Sequence, residues 1–107
     1  MDDYKPVAKT KDFEDGVIKG FRIDGADIAV VRWNERYYAF LNACTHNNYY
    51  FNYLEIQEGG IIPCDGHGAA FELESGRVVR GPAARDLPVY DVRVEGEDVL
   101  VSWKKES

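Results

Sequence analysis

Two short clusters, Cys44-Thr45-His46 and Cys64-Asp65-Gly66-His67, hold every cysteine and every histidine in the chain. Each offers one soft thiolate and one borderline imidazole, both ligands for iron, zinc or copper once deprotonated. Cys44 and His46 have one residue between them, so an extended backbone sends both side chains to the same side. Cys64 and His67 flank Asp65-Gly66, a dipeptide that favours a tight turn. Seventeen residues separate His46 from Cys64, enough to run out along one hairpin and back along another, so that two loop tips close on a shared ion or cluster. A mononuclear Cys₂His₂ zinc site usually draws its cysteines from one arm and its histidines from the other. Here each arm is mixed, which disfavours that layout without removing it.

A chain that crosses a two-iron cluster twice can give the Cys of each loop to one iron and the His to the other. At these residues the sequence resembles the Rieske-type [2Fe–2S] proteins, whose hallmark is C-x-H followed by C-x-x-H, and in which two histidines replace two cysteines on one iron. Gly68 after the second histidine, Phe71, and Gly81-Pro82-Ala83, similar to the proline loop that covers the cluster, extend the likeness. It is densest from about Asn42 to Leu87. By this resemblance Cys44 and Cys64 bind the buried iron as thiolates, and His46 and His67 bind the outer iron through one ring nitrogen each. The competing readings are a small buried hydrophobe for each cysteine, a hydrogen-bonded structural role for each histidine, and a structural zinc site. The joint spacing of all four residues weighs against them.

A length of 107 residues suits one domain with its own core and no disulfide staples. No apolar run approaches a membrane span, and Met1-Asp2-Asp3 opens acidic, opposite to a secretory leader. The expectation is a cytoplasmic protein whose cysteines stay reduced and open to metal, and not one of the membrane-tethered respiratory members of the family. With 19 acids against 13 bases, a net charge of −6 speaks against nucleic acid, which wants a basic patch. It suits a monomeric carrier meeting partners through their basic faces, or simply a soluble surface.

Strand signals dominate. Pro6 confines a strand over Tyr4 to Ala8 to an edge, and the charged stretch Lys11 to Asp15 reads as loop. Val17 to Ile23 is a strand ending at the Asp24-Gly25 turn. Asp27 to Trp33 follows, its run Ile28-Ala29-Val30-Val31 implying burial on both faces, and Asn34-Glu35-Arg36 turns into a hairpin partner over Tyr37 to Leu41. Tyr53 to Ile56 alternates like a strand, and Gly59-Gly60 breaks it before Ile61-Ile62-Pro63 leads to the second cluster. Further strands are expected from Ala70 to Leu73 and back through Arg77 to Val79. The clearest hairpin pairs Tyr90, Val92 and Val94 with Val99, Val101 and Trp103. No sustained helical period is present. The fold class is therefore all-β, a sandwich or barrel-like fold, and the resemblance implies a β-sandwich of antiparallel sheets. The resemblance implies a single Rieske-type domain: a small cluster-binding subdomain over about 43–84, and a base formed by about 1–42 and 85–107.

The respiratory relatives carry an additional cysteine in each loop, joined as a disulfide; Tyr49 and Gly66 occupy those positions here, so that bond cannot form. Ala69 and Phe71 stand where those relatives have a serine and a tyrosine that donate to cluster sulfurs. Fewer donors stabilise the reduced state less, which places the potential near the low end of the Rieske range, roughly −150 mV. Asp65, where proline is frequent, is a turn former or a nearby negative charge. The exit Asn47-Asn48-Tyr49-Tyr50-Phe51 is either a hydrophobic cover or a docking patch. Trp33, Tyr37, Tyr38 and Trp103 are assigned to the core. No nucleophilic triad, phosphate loop or second iron domain is present in the sequence. The reading is a non-enzymatic one-electron carrier, taking electrons, by resemblance, from a flavin-dependent reductase and delivering them to a terminal oxygenase. The alternatives are a small redox subunit of a larger enzyme such as an assimilatory nitrite reductase, and a structural zinc domain.

Overall fold

A computed structural model describes residues 4–23, 25–43, 50–51, 54–63, 70–80 and 86–102. Among the described residues nine strands form two antiparallel sheets: β1 (Lys5–Lys9), β2 (Lys19–Ile23), β3 (Ala26–Trp33), β4 (Arg36–Leu41), β5 (Ile61–Pro63), β6 (Ala70–Glu72), β7 (Val78–Arg80), β8 (Val89–Glu95) and β9 (Asp98–Ser102). Six of them run in the order β1-β9-β8-β4-β3-β2, and β5-β6-β7 make a smaller sheet. The expected all-β sandwich of antiparallel sheets is the observed architecture.

β3 is the spine. Ile28, Ala29, Val30 and Val31 are all fully buried, because alternate side chains of a strand face opposite ways and each side has its own core. Ala29 and Val31 pack with Ile18, Phe40, Phe51, Ile62, Phe71, Leu73 and Leu87, joining the large sheet to the small one. Ile28 and Val30 pack with Phe13, Ala39, Val99 and Val101. Since β4 and β8 separate β3 from β9 within the sheet, this second cluster requires the six strands to curl over it. β3 turns into β4 through Asn34 and Glu35, whose φ angles of 53° and 69° match the two-residue turn that suits the strands' twist. β1 lies at the edge, as Pro6 requires, and pairs with β9 so that Lys5 faces Val101. β4 and β8 are neighbours, Phe40 opposite Val89, although residues 42–88 lie between them in sequence.

Two stretches differ from expectation. Lys11 to Asp15 is not only loop: Thr10–Asp12 make one 3₁₀ turn, and Phe13 is buried with its ring edge-on to Tyr37. The strand expected over Tyr53 to Ile56 is reduced, among the described residues, to single bridges from Glu55 to Val17 and from Gln57 to Ile61. The alternation there reflects hydrogen bonds to irregular chain, Ile18 N to Leu54 O and Ile56 N to Gly16 O, and not a ladder. Trp33, Tyr37 and Tyr38 are partly buried against the cores, as assigned. Asp24 and Trp103 lie outside the described residues.

Candidate metal centre

The four candidate ligands Cys44, His46, Cys64 and His67 fall in residues 44–49 and 64–69, outside the described residues, together with Tyr49, Asp65, Gly66, Gly68, Ala69 and Gly81-Pro82-Ala83. What is described is the frame from which these segments leave and to which they return. Each has its ends brought together by a different device.

The second segment is closed by sheet pairing, since Pro63 at the end of β5 is opposite Ala70 at the start of β6. Arg80, the last residue of β7, is also opposite Ala70, so residues 81–85 leave from the same end of the small sheet. That third segment is closed by a side chain: Asp86 Oδ1 accepts the Val78 N–H at 3.0 Å, and the next N–H, from Leu87, reaches Gly76 O at 2.6 Å. The first segment is closed by Asn42, whose Oδ1 accepts the Phe51 N–H at 2.8 Å across nine residues.

The first and second segments meet through aromatic rings. Phe51, two residues past position 49, and Phe71, two residues past position 69, are both fully buried, with ring centroids 6.3 Å apart at 89°. Phe51 also stands edge-on to Phe40 of β4 at 5.6 Å. This is the geometry aromatic quadrupoles favour, and it sets the exits of the two Cys/His segments against each other on one rigid base. The aromatic exit of the first segment is thereby divided. Phe51 is core, and Tyr50 beside it is 56% exposed.

Among the described residues no group of three or more His, Cys, Asp or Glu is placed to hold a metal ion. The thiolates and imidazoles of the chain all lie in the two segments whose ends this frame gathers. Two soft and two borderline donors, carried as one mixed pair in each segment, fit in chemical type a cluster with one sulfur-ligated and one nitrogen-ligated iron. Sequence reasoning missed Asn42 and Asp86. The available signal was a polar residue closing the apolar strand Tyr37–Leu41, and an acid directly after the proline-containing segment.

The Rieske [2Fe–2S] domain family profile matches residues 3–91, and the chain belongs to that family. Ferredoxin CarAc of Metapseudomonas resinovorans is 30% identical over 100 residues, covering 92% of each chain. The ferredoxin of carbazole 1,9a-dioxygenase from Nocardioides aromaticivorans IC177 superposes with a TM-score of 0.87 at 29% identity, over 94% of this chain and 98% of that one. A chain in the complex of reduced oxygenase and oxidised ferredoxin of carbazole 1,9a-dioxygenase gives 0.85 at 28% identity, over 97% and 96%. The protein is accordingly a Rieske-type electron carrier, and its cofactor is a Rieske-type [2Fe–2S] cluster. No helix among the described residues is long and apolar enough to cross a membrane.

Proposed function

We propose that the chain is a monomeric cytoplasmic ferredoxin that passes single electrons from a flavin-dependent reductase to a terminal oxygenase. Cys44 and Cys64 hold one iron and His46 and His67 the other. The cluster-binding part spans about 43–84, and 1–42 with 85–107 form its base. The observation that carries the ligand assignment is the Phe51–Phe71 contact, which draws together the exits of the only segments bearing cysteine and histidine. When bound, the cluster supplies a one-electron couple. The residues of the frame fix the loop ends, and the Phe40, Phe51 and Phe71 rings keep water from beneath them. Carbazole dioxygenase ferredoxins with nearly the same backbone support an oxygenase as the acceptor. Tyr50, exposed at the edge of the first segment, is a contact residue for that partner.

Metal analysis with low-temperature EPR of the dithionite-reduced protein tests the ligands. Two irons per chain and a rhombic Rieske signal are expected, whereas zinc or a colourless protein would refute the assignment. His67→Cys exchanges a neutral ligand for an anionic one, so the potential should drop in any variant that retains its cluster; an unmoved potential excludes His67. Gel filtration of the purified chain separates a free carrier from a subunit that travels with a large flavoprotein.

A further inference from the structure

Asn42 is the one buried polar residue among the described positions, 4% exposed. Its backbone N–H donates to Asp27 O of β3 at 3.0 Å, which ties it to the spine of the large sheet. Its Oδ1 accepts from Phe51 N at 2.8 Å. The preceding residue is fixed as well, with Leu41 N donating to Pro88 O at 3.0 Å. The side chain is thus a short strut between the entry and the exit of the 43–50 segment, anchored on β3 at one end.

A fixed separation of the loop ends limits the conformations open to the residues between them. Phe51 is 1% exposed, so its N–H has no ready access to water, and a buried donor left without an acceptor costs about 1–3 kcal/mol. An amide oxygen meets that need without bringing a charge next to a redox centre. A carboxylate in the same place would accept equally well, but it would be an ion inside an apolar core two residues from Cys44.

We infer that Asn42 is a positioning residue for the first ligand pair: by holding Phe51 to the sheet it sets the geometry in which Cys44 and His46 meet the iron centre. The inference rests on the ligand assignment proposed above. Hydrogen bonding and geometry at the ligands are levers on a cluster's electronic structure, so loss of the strut reaches the spectrum and not stability alone.

The test compares reduced-state EPR and midpoint potential in four proteins. Asn42→Leu fills the space but removes the acceptor, and Asn42→Asp retains it. Val99→Ala opens a cavity in the other core and serves as a variant destabilised without loss of the Asn42–Phe51 bond. The expected result is a broadened, shifted signal and a displaced potential in Asn42→Leu, with the wild-type line shape in Asn42→Asp and Val99→Ala. The added charge of Asn42→Asp lowers its potential, so that variant is compared by line shape alone. An unchanged Asn42→Leu spectrum overturns the inference, as does an equal change in Val99→Ala. If Asn42→Leu takes up no iron, iron content becomes the readout. Full loading of Asn42→Asp and Val99→Ala then supports the strut, and loss in all three overturns it. A wild-type protein without the Rieske signal refutes the ligand assignment and this inference with it, an outcome distinct from an insensitive Asn42.

Discussion

Phe51 works at two levels at once: its N–H closes the first segment through Asn42, and its ring joins Phe40 to Phe71. Truncating a buried phenylalanine removes its transfer free energy and leaves a cavity, at a cost of about 3–5 kcal/mol. Phe51→Ala should therefore lower the urea midpoint by that equivalent, while Phe51→Leu, which fills most of the volume, loses less than half as much. The N–H that Asn42 accepts survives in both. The Phe51 side chain's contribution can thus be read separately from the strut's. Both parts of this arrangement were only half visible in sequence. Spacing alone marks Cys44, His46, Cys64 and His67, because ligand chemistry is tied to residue type. The Asn42–Phe51 pair has no such mark: any polar side chain ending a strand looks alike until its partner nine residues on is known.

The turn between β6 and β7 depends on Gly76. Its φ is +79°, and a Cβ there would stand 1.9 Å from Leu87 O and 2.9 Å from Val89 Cγ1. The same residue's carbonyl accepts the Leu87 N–H, which leads back from the third segment. Gly76→Ala combines left-handed backbone strain of about 1–3 kcal/mol with an overlap that only backbone movement relieves, so thermal denaturation should show a loss of at least about 2 kcal/mol. β8 supplies a pH dependence. Burial pushes the Tyr90 phenol above its ordinary value of 10.0, because the tyrosinate is the costlier form in the folded state. Above the unfolded pKa the unfolded chain releases that proton while the native chain keeps it. Stability should then fall as pH climbs past about 10 and level off beyond the raised folded pKa. Denaturant titrations between pH 9 and 11 should show a shallower decline for Tyr90→Phe. β3 was legible as a continuous apolar run between turn signals, and the β8–β9 hairpin as alternation on either side of a turn. Within the expected strand 53–56, the described residues 54–56 were misread because their backbone bonds with residues 16–18, a relation that no local pattern encodes. Phe13 was passed over for a similar reason, as its charged neighbours mask a ring that docks on distant strands.

For the molecule as a whole, charge is the property that partners sense from a distance. A net charge of −6 steers encounters with a positively charged face, and added salt screens that attraction within about 10 Å at 0.1 M. Second-order rates of electron transfer to an oxygenase with a basic docking surface should fall as sodium chloride is raised from 20 to 300 mM, with the midpoint potential little changed. Rates independent of salt would mean that the acidic surface serves solubility alone. The pairing of β1 with β9 carries a different consequence. Lys5 sits opposite Val101, so the first and last of the described strands are side by side and the backbone path from residue 5 to residue 101 is nearly a ring. Such a chain tolerates having its ends fused and its order rotated. A circular permutant opened at the exposed Asn34-Glu35 turn would keep every strand pair, yet would make residues 36–102 as one uninterrupted run. Both Cys/His segments would then emerge from the ribosome before β1, β2 and β3, which now precede them.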